Sequence, residues 1–255
     1  MKEIKLENSP VKVARKLLLG TMLGDSWINV TIPQSRISYA NATRAFLIMT
    51  HANSQFEYLI WKARKLVPLV GKFNIHERPT RFKGKETGGF HCKLVSLSSK
   101  YLKHIWDDFY FNREGKVKKE VHSNVLNRLT PISLAVLYGD DGGLHLGERV
   151  RIATNGFSKE EVDLICKVLK NKFGIEFIPK LHHQHLSYGI QADNPNSKIF
   201  LELVRPYLEE VSCLRYKLDS NFKRDSDCSA RHPGINFWDE EVLRIPNSCG
   251  RKKLL

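Results

Sequence analysis

The sequence has no long apolar run. No stretch reaches the roughly 18 residues that a membrane span needs, and the opening MKEIKLENSP has none of the apolar centre of a secretory leader. No membrane partner is therefore expected. Paired cysteines are also missing. The five present (Cys92, Cys166, Cys213, Cys228 and Cys249) are odd in number and form no CxxC pair. That argues against a disulfide framework or a zinc ribbon and suits a reducing compartment. An intracellular setting is expected: the cytoplasm of a bacterium or phage-infected cell, or an organelle matrix. Acidic residues are scarce, 27 against 41 Lys and Arg, leaving a formal net charge of +14. An excess of that size points to a polyanionic partner, with nucleic acid the first candidate. What remains is ordinary for a globular chain: 255 residues with 42% hydrophobic content, enough for one large domain or two small ones.

The two halves share a plan. Ser9-Pro10 and Thr130-Pro131 each offer an N-cap residue followed by proline at the first helical position. Each opens an apolar helical run that ends in Gly-Asp. Strand-like stretches follow near Trp27–Val30 and Phe46–Met49, then a helix from about Ser54 to Leu66. In the second half, strands near Leu144 and Val150–Ala153 precede a helix from Lys159 to Phe173, with a Ser158/Glu161 capping box and Gly174 as its stop. Strand pairs come next, near Lys72–Arg81 with Phe90–Leu97 and near Glu176–Lys180 with Leu186–Ala192. SKYLKHIWDDFY from Ser99 then aligns without gaps on SKIFLELVRPYL from Ser197, an offset of 98 residues. Both Ser-Lys pairs are read as helix openings, and Ile105, Trp106 and Phe109 are matched with Leu203, Val204 and Tyr207 as buried positions. The same offset places Lys119 on Lys217. The expected fold is α+β, with two pseudo-symmetric αββαββα lobes at 1–129 and 130–219 and a basic tail at 220–255. A pseudo-two-fold axis matches that of a DNA duplex.

The helix endings carry the chemistry. Gly20 and Gly24 are four apart and share a helix face, as do Ala135 and Gly139. Small residues let helix backbones approach. Two such helices side by side would bring Asp25 and Asp141 together at their tips. Carboxylates that close repel unless one is protonated or a divalent cation lies between them. Oxygen ligands suit Mg²⁺ or Mn²⁺, and paired carboxylates with phosphate and water make a phosphodiester-cleaving site. Lys119 and Lys217 would sit beside the attacking waters or neutralise developing charge. A single Gly-Asp ending is ordinary helix-stop chemistry. Two in matching places of a duplicated basic chain are not.

LLGTMLGDS (Leu18–Ser26) and LAVLYGDDG (Leu134–Gly142) resemble the two signature helices of the LAGLIDADG homing endonucleases, single-chain type. LTPISLAVLYGDDGG is especially similar to the second motif of members of the yeast mitochondrial omega-intron endonuclease type. GKVKKEVHSNVLNRLTP and RPYLEEVSCLRYKL also resemble segments of that subgroup, and the resemblance spans about residues 10–219. It implies a saddle of two lobes over DNA and divalent-metal cleavage of both strands, leaving short 3′ overhangs. The acidic positions fall on Asp25 and Asp141, with Gly24 and Asp140 beside them at the metal, and the basic ones on Lys119 and Lys217. Ser26 and Val136 stand where the motif has glycine, Leu23 where it has a first aspartate, and His122 where a proline follows the lysine. Aligning on Gly24 and Gly139 selects Asp140 as the alternative to Asp141, and Lys118 is the alternative to Lys119.

Strands of such a saddle can enter the major groove, where alternate side chains meet base edges. First-half candidates are Arg36, Arg44, Lys72, Asn74, His76, Arg78, Arg81, Lys83, Lys85, His91 and Lys93. Second-half candidates are His145, Arg149, Arg151, Lys180, His182, Gln184 and Gln191. Because the halves differ, the expected partner is double-stranded DNA with a long asymmetric site of about 20 base pairs, bound by a monomer. Intron RNA is the alternative partner, as for a maturase, and a non-cleaving DNA-binding protein is the third reading. KLHHQHLS (Lys180–Ser187) fits no standard zinc spacing. Splicing-junction residues of an intein are missing, so a free-standing polypeptide is expected.

Overall fold

The computed structural model describes residues 9–31, 42–82, 85–182 and 186–223, with the side chains of 77–90 and 182 excluded. Helix α1 (Pro10–Leu23) starts at the Ser9 cap, whose hydroxyl accepts from the Lys12 N–H at 3.4 Å. Strands β1 (Ser26–Val30) and β2 (Ala45–Ala52) follow, then a 3₁₀ turn at Asn53–Gln55 and helix α2 (Phe56–Val70). Helix α2 runs one turn beyond the expected Leu66, carrying Pro68, and stops at Gly71, whose φ of +86° suits glycine. Next come β3 (Phe73–Phe82), β4 (Lys85–Ser96) and α3 (Lys100–Phe109).

A hairpin of β5 (Tyr110–Arg113) and β6 (Lys116–Lys119) then intervenes, which the repeat did not announce. It turns at Glu114-Gly115, both at positive φ, and leaves Lys119 at its end. A short helix α4 (Ser123–Leu126) leads to α5 (Pro131–Asp141), where the Thr130 N–H donates to the Ser133 hydroxyl at 3.2 Å. The second lobe continues with β7 (Gly142–His145), β8 (Arg149–Ala153), α6 (Lys159–Phe173), β9 (Ile178–His182), β10 (Ser187–Gln191), α7 (Asn194–Leu208), a 3₁₀ turn at Ser212–Leu214 and α8 (Arg215–Leu218).

The two four-stranded sheets have the same order, β1-β2-β4-β3 and β7-β8-β10-β9, with every pairing antiparallel. Identical topology in both halves is the duplication made visible. It is an α+β fold in which each sheet packs one face on its lobe's helices, and the helices of both lobes share one continuous apolar core.

One detail of the repeat differs from its sequence reading. Ser99 caps α3, accepting from the Leu102 N–H. Ser197 does not open α7. Asp193 does, accepting from the Asn196 N–H at 2.9 Å, and Ser197 lies buried inside the helix taking the Val150 N–H. The Asn-Pro pair ahead of Ser197 favours an earlier start. Consequently α3 buries Leu102, Ile105, Trp106 and Phe109, whereas α7 buries Phe200, Val204 and Leu208 and leaves Leu203 and Tyr207 half-exposed.

The lobes clasp each other. Glu57 on α2 accepts from the backbone N–H groups of Ser212 and Cys213, each at 3.0 Å, beyond α7. In mirror fashion, Glu161 on α6 accepts from the Val121 N–H at 2.7 Å, in the segment beyond α3. Trp61 and Lys65 add bonds to Glu210.

Candidate functional site

Helices α1 and α5 pack against each other because their facing residues are small. A side chain at Gly20 would put its Cβ 2.1 Å from the Ser133 carbonyl oxygen, so only glycine fits. The Ser133 hydroxyl donates across the interface to the Lys16 carbonyl at 2.7 Å. At the far end Gly24 lies against Asp140, where an added Cβ would come within 2.3 Å of Oδ2. Gly139 departs from the expected pattern: it faces the Tyr58 ring of α2, and a Cβ there would meet the hydroxyl at 2.5 Å.

Past this contact Asp25 and Asp141 line one cavity of about 280 Å³, together with Gly24, Lys119, Thr154, Asn155 and Phe157. Asp25 is exposed and Asp141 half-buried. Burial, then the negative charges of Asp25 and Asp140, push the Asp141 carboxyl up to about 7 against the pull of Lys217 and Lys119.

The lysines occupy matching places. Lys119 Nζ donates to the carbonyls of Met22, Gly24 and Ser26 at 3.0, 3.4 and 3.3 Å. Lys217 Nζ donates to those of Tyr138, Gly139 and Asp140 at 3.3, 2.6 and 3.2 Å. Each ammonium therefore lies at the negative end of its helix, where the last carbonyls have few intrahelical donors. Burial lowers the Lys119 pKa, with Asp141, Asp140 and Asp25 pulling it back. Lys217 is buried, and it is not among the residues lining the aspartate cavity. Lys118, the alternative to Lys119, is exposed and lines a separate cavity with Glu120 and His122.

Asp140 does something else. Its carboxylate is buried, with Lys62 Nζ 2.7 Å and His51 Nε2 3.4 Å from Oδ1. Burial alone would raise its pKa, but the Lys62 charge and the His51 bonds prevail and hold it well below the usual carboxylate range. The carboxylate that lines the cavity is thus Asp141. Asp140 lies outside that lining, its side chain committed to the ion pair and its main-chain carbonyl at the helix end.

The donor set fits a hard divalent cation. Two carboxylates share the cavity, and their mutual repulsion already raises Asp141. No group of three His, Cys, Asp or Glu side chains suited to a metal occurs among the described residues. Phosphate and water would have to complete the shell, which is how Mg²⁺ is ordinarily held.

The LAGLIDADG DNA endonuclease family model matches residues 15–200, which includes Asp25 and Asp141. The chain belongs to this family. It is 28% identical over 220 residues to the DNA endonuclease I-ChuI of Chlamydomonas applanata, covering 82% of this chain and 95% of that one. It is 31% identical over 207 residues to the cytochrome b mRNA maturase bI2 of Saccharomyces cerevisiae, covering 79% of this chain and 46% of the maturase. Its fold is similar to that of the homing endonuclease I-WcaI bound to its DNA recognition sequence, with a TM-score of 0.63 and 22% identity over 85% of this chain and 91% of that one.

The LAGLIDADG sheets present the expected polar faces in part. Asn74, His76, His91 and Lys93 lie on the face of the first sheet turned away from its helices, with Lys93 paired between His76 and Thr50. Lys72 is half-buried in the turn after Gly71, and Arg44 is held by Ser98 through its Nε at 3.2 Å and a second bond to the Ser98 carbonyl. In the second sheet Arg151 pairs with Gly143 and Gln191, His145 with Arg149, and Lys180 with Gly189, all on one face. Arg149 also donates to Asn194 at 3.1 Å. Arg78, Arg81, Lys85 and His182 fall in strands, but their side chains lie outside the described set; Arg36, Lys83, Gln184 and the tail from 224 lie outside the described residues altogether.

Two sets of residues escaped the sequence reading. Trp27, 38% exposed, and Asn29 share the open face of β1, where the alternation Ser26 in, Trp27 out, Ile28 in, Asn29 out was available as a signal. Lys62 was the other signal: a charge at helical spacing among Tyr58, Leu59, Ala63 and Leu66, all buried.

Proposed function

We propose that this chain is a site-specific endonuclease that hydrolyses both strands of a long asymmetric DNA target with a divalent metal, leaving 3′ overhangs. The observation that carries the reading is the single cavity shared by Asp25, Asp141 and Lys119 where the two LAGLIDADG helices end. Asp25 and Asp141 would hold Mg²⁺ or Mn²⁺, which supplies charge neutralisation at the phosphate and a more acidic bound water. Lys119 borders the cavity, its ammonium held by the carbonyls of Met22, Gly24 and Ser26 where it can meet charge that develops on the phosphate. Lys217 is placed equivalently on the other helix end, and the open sheet faces supply polar and basic side chains for the major groove.

The test is a library of random duplexes incubated with protein and Mg²⁺, followed by sequencing of the new ends. Recurrent paired cuts with short 3′ extensions, lost in Asp25→Asn and Asp141→Asn, are expected. Intact DNA throughout would refute the cleavage reading. The likeness to a yeast mRNA maturase favours a second activity, binding of intron RNA. Tight RNA binding with no cleavage would make that the primary one, and DNA binding with neither would leave a non-cleaving DNA-binding protein.

A further inference from the structure

The two helix tips are not equivalent in what stands behind them. Lys62 on α2 is fully buried, His51 on β2 is buried beside it, and both belong to the first lobe. Their target, Asp140, belongs to the second. Lys62 Nζ lies 2.7 Å from both Asp140 Oδ1 and His51 Nε2, and 4.7 Å from the centre of the Tyr58 ring. Tyr58 in turn donates to the Val136 carbonyl on α5 at 2.9 Å. Residue 140 is thereby gripped at both ends, its carboxylate by Lys62 and its carbonyl by Lys217. On the other helix the matching residue is Gly24, which has no side chain to grip and whose carbonyl accepts from Lys119 at 3.4 Å.

A fully buried ammonium is costly unless it has a fixed partner. Here the partner is the residue next to Asp141, so the ion pair sets where that carboxylate points. We propose that Lys62 is a positioning residue for Asp141, acting across the lobe boundary through Asp140, and that it governs cleavage of one DNA strand and not the other. The inference rests on the endonuclease reading for its strand effect, but its structural half can be read without any cleavage. His51 accepts from Lys62 through Nε2, holds the ammonium in place and extends the device to β2. Lys62 is not among the residues lining the aspartate cavity and acts on no reacting atom.

The experiment compares Lys62→Met with the double variant Lys62→Met/Asp140→Leu, which removes both charges and keeps side-chain volume in place. Hydrogen exchange on the free protein is expected to rise more at 138–143 than at 20–26 in the single variant, and to return toward wild type in the double. On an end-labelled duplex recovered from the library selection, the single variant is expected to slow one strand by about 10²-fold, the scale of a 1 Å misplacement. The other strand keeps its rate, so nicked DNA accumulates, and the double variant restores the second cut. Unchanged exchange at 138–143, equal slowing of both strands, or failure of the double variant to recover exchange protection would overturn the proposal. Wild-type protein that cuts neither strand refutes the endonuclease reading instead, and the exchange result then decides the positioning role alone.

Discussion

At the tip of α1 the residue before the exposed Asp25 is Gly24, whereas at the tip of α5 the residue before the half-buried Asp141 is Asp140, locked to Lys62 and His51. Both tips are closed by a lysine on their last carbonyls. Duplication supplied the shared part, a helix end with a carboxylate and a capping ammonium. One tip adds a buried ion pair, and the other has a bare backbone in its place. The pair and the glycine are complementary, because Asp140 occupies the space that any side chain at position 24 would need.

The comparison is broken most severely by removing either carboxylate. Asp25→Asn and Asp141→Asn are each expected to lower double-strand cleavage by about 10³-fold or more, with DNA binding retained in a gel-shift assay. Next come the lysines. Lys119→Met and Lys217→Met are expected to slow opposite strands by about 10²-fold each, read by labelling the two strands separately. Lys217→Met should also lower the melting temperature more, since Lys217 is the more deeply buried.

Stability sharpens the contrast further. Lys62→Met leaves Asp140 buried without its cation and is expected to cost about 3–5 kcal/mol in urea unfolding. Gly20→Ala, which meets the Ser133 backbone, is expected to cost about 1–3 kcal/mol. Gly143→Ala, with open space around it, should stay within about 0.5 kcal/mol.

The pH dependence separates the two carboxylates neighbouring the α5 tip. Asp141 has its folded pKa raised to about 7 from an ordinary 3.8. Its contribution to stability is therefore full below about pH 4 and is lost as pH rises toward and through 7. Asp140 is depressed, so its contribution is present above its ordinary value and is lost only in strong acid. Mg²⁺ is accordingly expected to raise the melting temperature of the wild type more at pH 8 than at pH 6, and Asp141→Asn should abolish that difference. Cleavage should fall below about pH 7 as Asp141 takes up a proton.

Much of this architecture was legible in the chain. The Ser-Pro and Thr-Pro openings, the Gly-Asp endings and the capping box at Ser158 located helices whose ends the structure reproduces closely. Periodicity and caps are local, and local signals survive without knowledge of the fold. Charge and motif spacing likewise singled out Asp25, Asp141, Lys119 and Lys217. The start of α7 does not follow from the match of Ser197-Lys198 to Ser99-Lys100, because Asp193 offers the better cap three residues ahead of Asn196.

The sequence by itself determined a basic, duplicated α+β chain and the residue types its centre would carry, because hydrophobic period, capping residues and net charge act over a few positions. Tertiary structure decided which of Asp140 and Asp141 lines the cavity. That choice depends on Lys62 and His51, 78 and 89 residues upstream of Asp140, and on the Coulomb energy of a buried pair, which exists only once the two lobes have closed around it.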